Sequence, residues 1–287
     1  IKIMEKVGSQ VLYSKSREFG FGSKTGISLN GEISGKLSSF TDWSAVSLGQ
    51  IAMGHEIGVT AIQIALAYCA IANGGYLLKP QIVKQIMDSE GNIVYSEEPI
   101  VSRKIATENT MSDLRKMLRS VITNGTGTNA DIKGWKIAGK TGTAQKWKNG
   151  KYSDNKFISN FTGFFPYEQP QLLAFIMLDE PRKPFHWGNE GAAIAFRRIM
   201  KRIINMDDSI IPPETNKTRK IQNDNFIANI EQKENLLIPL SLISRNLDKI
   251  SVPELRGSSM RKAMSTLNKI GLQYKVNGSG KVYWQYP

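Results

Sequence analysis

Apolar residues fall at Ile3, Val7, Val11 and Leu12, a helical spacing that predicts a helix over residues 1–19. Residues 20–39 break that pattern with glycines at 20, 22, 26, 31 and 35 and read as loop. After a short mixed stretch over residues 44–58, Thr60 is placed to cap an alanine-rich helix over 61–72, stopped by Asn73-Gly74-Gly75. Short strands are expected over 76–86 and 92–95, around a turn at Ser89-Glu90-Gly91. Leu114, Met117, Leu118, Val121 and Ile122 share one face of a helix predicted over 110–123.

Three strand candidates follow, at 135–147, 158–165 and 172–179. Asn149-Gly150 lies in a polar stretch, 146–156, between the first two and signals a hairpin loop. The third is a continuous apolar run, as in a strand buried on both faces. A helix over 190–205 closes this part, with Ala192, Ala193, Phe196, Ile199, Met200 and Ile203 on its apolar side. Helices, then consecutive strands, then a helix predict an α+β fold, an antiparallel sheet packed with helices. The composition then shifts. Residues 209–250 are rich in Asn, Lys and Gln after Pro212-Pro213 and read as a linker. Residues 251–287 read as a small α/β unit, with a helix over 258–270 and strands over 272–276 and 282–285. The expected domains are therefore 1–208, the linker 209–250, and 251–287.

The 287 residues carry a net charge of +13, spread along the chain. No zinc-finger, RNA-recognition or basic-helix pattern accompanies it, so an anionic envelope polymer is the expected counterpart and no specific nucleic acid is implied. Two histidines, His55 and His186, give no metal site of the usual kind, and no cofactor is implied. Both are expected to be surface or satisfied side chains. Cys69 lies in an apolar run and reads as a small core residue. Phe161, Phe164 and Phe165 are expected in the core, and Trp147, Trp187 and Trp284 are read as packing residues. The longest apolar stretch, 57–72, is too short and too polar to span a membrane.

The chemistry concentrates in Lys140-Thr141-Gly142-Thr143-Ala144. On a strand, Lys140 and Gly142 face one way and Thr141 and Thr143 the other. Gly142 admits a close neighbour. A second Lys-Thr-Gly, at Lys24-Thr25-Gly26, sits in the glycine-punctuated loop, and the flanking apolar run favours Lys140. Gly125-Thr126-Gly127-Thr128 lacks the Lys-Ser/Thr of a phosphate loop and reads as a helix stop.

Several segments, in order, resemble the C-terminal half of the transpeptidase domain of class B penicillin-binding proteins. They are Phe19-Gly20-Phe21-Gly22…Thr25-Gly26-Ile27…Gly31-Glu32; Gly54…Val59-Thr60…Gln63…Ala67-Tyr68…Ile71-Ala72-Asn73-Gly74-Gly75; Lys140-Thr141-Gly142-Thr143-Ala144-Gln145; and Phe161…Gly163-Phe164…Pro166. The tail, from Val252-Pro253-Glu254-Leu255-Arg256-Gly257 onward, resembles a truncated PASTA module, a type associated with cell-wall binding. The resemblance implies a β-lactamase/transpeptidase-like fold lacking its N-terminal part. It implies serine acyl transfer between peptidoglycan stem peptides ending in D-Ala-D-Ala, and acylation by β-lactams. Lys140 and Thr143 would be catalytic, and Thr141, Gly142, Thr143 and Ala144 would bind substrate. The Thr143 N–H would be an oxyanion donor. The partners implied are stem peptides, β-lactams and the division or elongation machinery, on the outer face of a bacterial inner membrane.

The family's Ser-x-x-Lys and Ser-x-Asn motifs precede Lys-Thr-Gly. Here Ser153-Asp154-Asn155-Lys156 and Ser259-Met260-Arg261-Lys262 come after it, no more than serine and lysine content produces by chance. The chain begins at Ile1, so an upstream part carrying the nucleophile and any membrane anchor is expected, and this chain alone is expected to be inactive. The alternatives are a serine β-lactamase of the same fold and a non-enzymatic wall-binding protein. Upstream sequence discriminates between them.

Overall fold

A computed structural model describes residues 1–148, 150–207, 209–210, 252–276 and 280–286. The chain forms two compact units, the first comprising 1–131 with 136–197 and the second 132–135 with 198–287. The expected linker lies almost wholly outside the described residues.

The first unit opens with two helices where one was expected, α1 (Lys2–Val7) and α2 (Ser9–Glu18). Gly8, at φ 87°, breaks the line, a left-handed conformation that favours glycine. A short helix α3 (Ser47–Ala52) precedes α4 (Ala61–Ala72). The Thr60 hydroxyl accepts from the Gln63 N–H, and the Thr60 N–H donates to the Gln63 side chain. This reciprocal cap is worth about 1 kcal/mol.

Helix α4 buries Ala70 with Leu77, Ile105 and Met111, and Phe19, Leu66 and Leu114 pack around them. Leu77 belongs to β1 (Tyr76–Leu78), which pairs antiparallel with β4 (Val101–Lys104). Between them β2 (Gln85–Met87) and β3 (Ile93–Ser96) form a hairpin. Strand β4 is not among the strands expected from the sequence; it forms through its antiparallel pairing with β1. Helix α5 (Glu108–Thr123) follows. Its buried Arg115 pairs with Glu108 and donates to the Ile71 carbonyl at 3.0 Å, satisfying an open carbonyl at the end of α4.

The main sheet is three-stranded and antiparallel, in the order β5 (Ala138–Lys148), β6 (Lys151–Phe165), β7 (Leu172–Asp179). Strand β6 starts seven residues earlier than the polar sequence suggested. Ladder pairing, in which Trp147 faces Tyr152 and Lys148 faces Lys151, outweighs low strand propensity there. Strand β7 matches its expected bounds but is only half-buried, being an edge strand of this sheet. A π-helical turn, Asn189–Ala193, leads into α6 (Ile194–Met206). Phe161, Phe164, Phe165, Ala192, Ala193 and Phe196 are fully buried, and the Phe161 and Phe196 rings meet edge-on at 4.8 Å. The α+β antiparallel class is as the sequence predicts.

In the second unit α7 (Met260–Lys269) is capped by Ser259, whose hydroxyl accepts from the Lys262 N–H. The strands expected over 272–276 and 282–285 do not form among the described residues. The pairing there is a single bridge, Ser259 to Lys281. Trp284 and Tyr286 stack at 6.3 Å, and both are exposed. No helix among the described residues is long and apolar enough to cross a membrane.

Candidate functional site

Strand β5 carries Lys140, Thr141, Gly142, Thr143 and Ala144 along one edge of the sheet. It is fixed at its start by α5. Arg119 donates to the Ile137 carbonyl at 2.7 Å and to Asp131 at 2.9 Å. Alternation then sorts the side chains as expected. Thr141 Oγ1 lies 2.8 Å from Thr126 Oγ1, and Thr143 Oγ1 accepts from the Gly188 N–H at 3.0 Å. One rung across, Ser159 on β6 donates to the Trp187 carbonyl and accepts from the Ala192 N–H. Asn129 closes this face by bonding Asn189 through both its main-chain and side-chain N–H groups. So the turn after α5 and the turn before α6 brace the two threonines from one side.

Glycine is required at position 188, where a Cβ would lie 2.8 Å from the Gly142 carbonyl; on the opposite face of β5 a Cβ on Gly142 would lie 2.4 Å from Asn160 Oδ1, a side-chain atom that can shift. Asn160, Gly188 and Thr126 are partners that sequence reading missed. Only Thr126 carries a sequence signal, Gly125-Thr126-Gly127-Thr128, which follows the end of α5.

Lys140 Nζ donates to the Thr141 carbonyl at 2.8 Å. The residue is exposed, yet partial desolvation of the ammonium lowers its pKa. It lines neither of two cavities among the described residues. One, of about 290 Å³, lies between β6 and the 180–186 segment. The other, of about 500 Å³, is walled by Ala144, Gln145, Lys146, Trp147 and Tyr152 with His55 and the 36–58 segment.

The competing tripeptide is differently placed. Lys24-Thr25-Gly26 lies in a loop, where the Thr25 N–H and hydroxyl and the Gly26 N–H all donate to Glu32. Gln63 fastens that loop from below, donating to the Ser23 and Ser34 carbonyls at 2.7 and 2.8 Å. The two Ser-x-x-Lys strings assemble no nucleophile-and-base pair. Ser153 is on a strand rather than in the expected loop and donates to Asn155, while Lys156 pairs with Glu180. Ser259 is a helix cap.

Three aromatic residues read as packing are in fact exposed: Trp147, Trp187 and Trp284, at 61%, 53% and 70%. His186 also departs from expectation, being buried with Nδ1 lacking a hydrogen-bond partner.

Over residues 1–201 the sequence matches the penicillin binding protein transpeptidase domain. The chain belongs to this family, in its class B branch. It is 35% identical over 232 residues to stage V sporulation protein D of Bacillus subtilis, covering 80% of this chain and 36% of that protein. It is 30% identical over 206 residues to the probable peptidoglycan D,D-transpeptidase PenA of Neisseria meningitidis, covering 71% of this chain and 34% of that protein. Among solved structures, penicillin binding protein 3 of Mycobacterium tuberculosis superposes with a TM-score of 0.63 at 29% identity, covering 73% of this chain and 49% of that one. The same protein has been solved in complex with aztreonam and with ampicillin. The chain thus spans about a third of the length of these curated relatives, 36% and 34%.

Proposed function

We propose that this chain is the C-terminal part of the transpeptidase domain of a peptidoglycan D,D-transpeptidase. The observation that carries the reading is the braced edge strand, with Lys140, Thr141, Gly142 and Thr143 in consecutive positions. An edge strand leaves alternate main-chain groups outside the ladder, where an extended peptide can add. Main-chain groups two residues apart face the same edge, so the Thr143 N–H shares the edge of the Thr141 carbonyl that Lys140 reaches.

In this reading a serine supplied by upstream sequence attacks the carbonyl carbon of the penultimate D-Ala. The C–N bond breaks, and the terminal D-Ala leaves as an amine carrying the proton lost by the serine. An amine from a second stem peptide then displaces the serine from the ester. Lys140 supplies positive potential to the serine and to the substrate carboxylate. Because Thr143 Oγ1 accepts from Gly188, its own proton remains available to donate to that carboxylate. Thr141, Gly142 and Ala144 line the substrate strand. The Thr143 N–H stabilises the oxyanion, a role worth about 2.7–4 kcal/mol of barrier. β-Lactams acylate the same serine. Residues 251–287 act as a PASTA-like wall-binding module. The whole protein works with the division or elongation machinery from a membrane anchor upstream.

The test is fluorescent-penicillin labelling of the full reading frame that contains this chain. Lys140→Ala is expected to cut the acylation rate at least tenfold and Lys24→Ala to leave it unchanged. The reverse pattern transfers the site to the loop tripeptide and defeats the reading.

A further inference from the structure

The cavity of about 500 Å³ stands at the far end of the strand that carries Lys140. Ala144 and Ile158 face each other across β5 and β6, and both line it. Alternation along β5 puts Ala144 on the same face as Lys140 and Gly142, so the cavity reaches the Lys140 face of the sheet. The opposite wall is the 36–58 segment. Its ends are tied by two main-chain bonds between Lys36 and Gly58, at 2.7 and 2.9 Å, which close it into a loop. Aromatic rings form much of the lining. Tyr152 packs edge-on against His55 at 5.2 Å and against Trp147 at 4.9 Å, and Trp43 stands in the wall with them. The charges in the wall are unequal. Lys146 is taken by Asp179 at 2.8 Å and Glu180 at 3.0 Å. That leaves Asp42 and Glu56 against Lys36, and neither acid makes an ion pair among the described residues.

We infer, on the basis of the proposed function, that this cavity receives the side chain of the residue preceding D-Ala-D-Ala in the donor peptide and selects one that ends in a primary amine. In that function the terminal carboxylate lies at Lys140 and the penultimate carbonyl at the Thr143 N–H. The peptide then runs antiparallel to β5. Its preceding residue comes level with Gln145, which is itself in the cavity wall. The rings accept the methylenes of a long aliphatic side chain and attract its ammonium through their faces. Asp42 and Glu56 supply the opposite charge. Stem peptides bring such a group with them. The second step of the transfer uses an amine on the acceptor peptide, and a donor of the same composition carries that amine too.

The test uses two synthetic peptides, acetyl-Lys-D-Ala-D-Ala and its norleucine counterpart, which lacks only the amine. Each is titrated into this chain and followed by NMR at the Trp147 indole N–H and at the backbone amides of residues 141–145. The lysine peptide is expected to bind about fivefold more tightly and to move both sets of signals. The double variant Asp42→Asn/Glu56→Gln is expected to bring its Kd to that of the norleucine peptide. Both residues are exposed, and an unchanged norleucine Kd shows that the variant is folded. Equal Kd values for the two peptides, a preference that survives in the variant, a Trp147 signal that stays still, or no binding of either peptide overturns the inference. Penicillin labelling of the full reading frame is scored separately. Labelling without the amine preference defeats the subsite alone, and the preference without labelling defeats the acylation reading alone.

Discussion

Gly188→Ala separates two opposed physical expectations. Gly188 has φ −57° and ψ −34°, a right-handed helical conformation open to alanine. Where such a substitution meets no obstacle it stabilises a protein by about 0.4–1 kcal/mol through the unfolded chain. Here the new Cβ would lie 2.8 Å from the Gly142 carbonyl, 2.9 Å from the Asn160 carbonyl and 3.0 Å from Thr141 Cβ. Two of these are main-chain atoms of paired strands, so the neighbours cannot rotate away. Overpacking of this kind costs about 1–3 kcal/mol. Loss or lengthening of the Gly188–Thr143 hydrogen bond adds about 0.5–1.5 kcal/mol. The steric terms exceed the entropic one, and a net loss of about 1–3 kcal/mol is expected. Urea unfolding followed by tryptophan fluorescence gives the stability change, and amide shifts of residues 141–143 show whether the strand has moved. A variant as stable as the parent or more so, with those amides unmoved, refutes the claim that this turn presses against β5.

Other consequences follow from the same geometry. Gln63→Leu removes two donors and one acceptor that tie Ser23, Ser34 and Thr60 together, a loss of about 0.5–1.5 kcal/mol per bond. Hydrogen exchange is expected to accelerate across residues 20–34 and not across β6, and uniform exchange would count against this anchoring. Glu180 should titrate near pH 2 by carboxyl NMR, because Lys156 and then Lys146 bond its ionised form. Its folded pKa lies below the ordinary 4.5, so its contribution is present above about 4.5 and is lost as pH falls through about 2. Lys156→Met is expected to move that midpoint upward, and an unmoved midpoint would remove the cause assigned.

Much of this architecture could be read from residue order. Thr60 announced the start of α4, and Asn73-Gly74-Gly75 its end, because caps are local chemistry. Strand β7 followed from an unbroken apolar run, and the burial of Phe161, Phe164 and Phe165 from their size and apolarity. Long-range pairing was not legible. Lys151 and Tyr152 became strand because they pair with Lys148 and Trp147 at the end of β5, and residues 153–156 fall in the irregularity before the regular pairing resumes at Phe157 with Gln145. Thr126 and Gly188 reached the candidate site from turns 15 and 45 residues away from their threonine partners. His186 could not be singled out either, since a missing hydrogen bond is a property of surroundings and not of sequence.

In the proposed function β5 forms one wall of an acylation site. Peptide mapping of the penicillin adduct on the full reading frame tests it most directly. One adduct is expected, on a serine preceding this chain in a Ser-x-x-Lys motif, and none when this chain is treated alone. An adduct on Ser153, on Ser259 or on any other residue of this chain would contradict it.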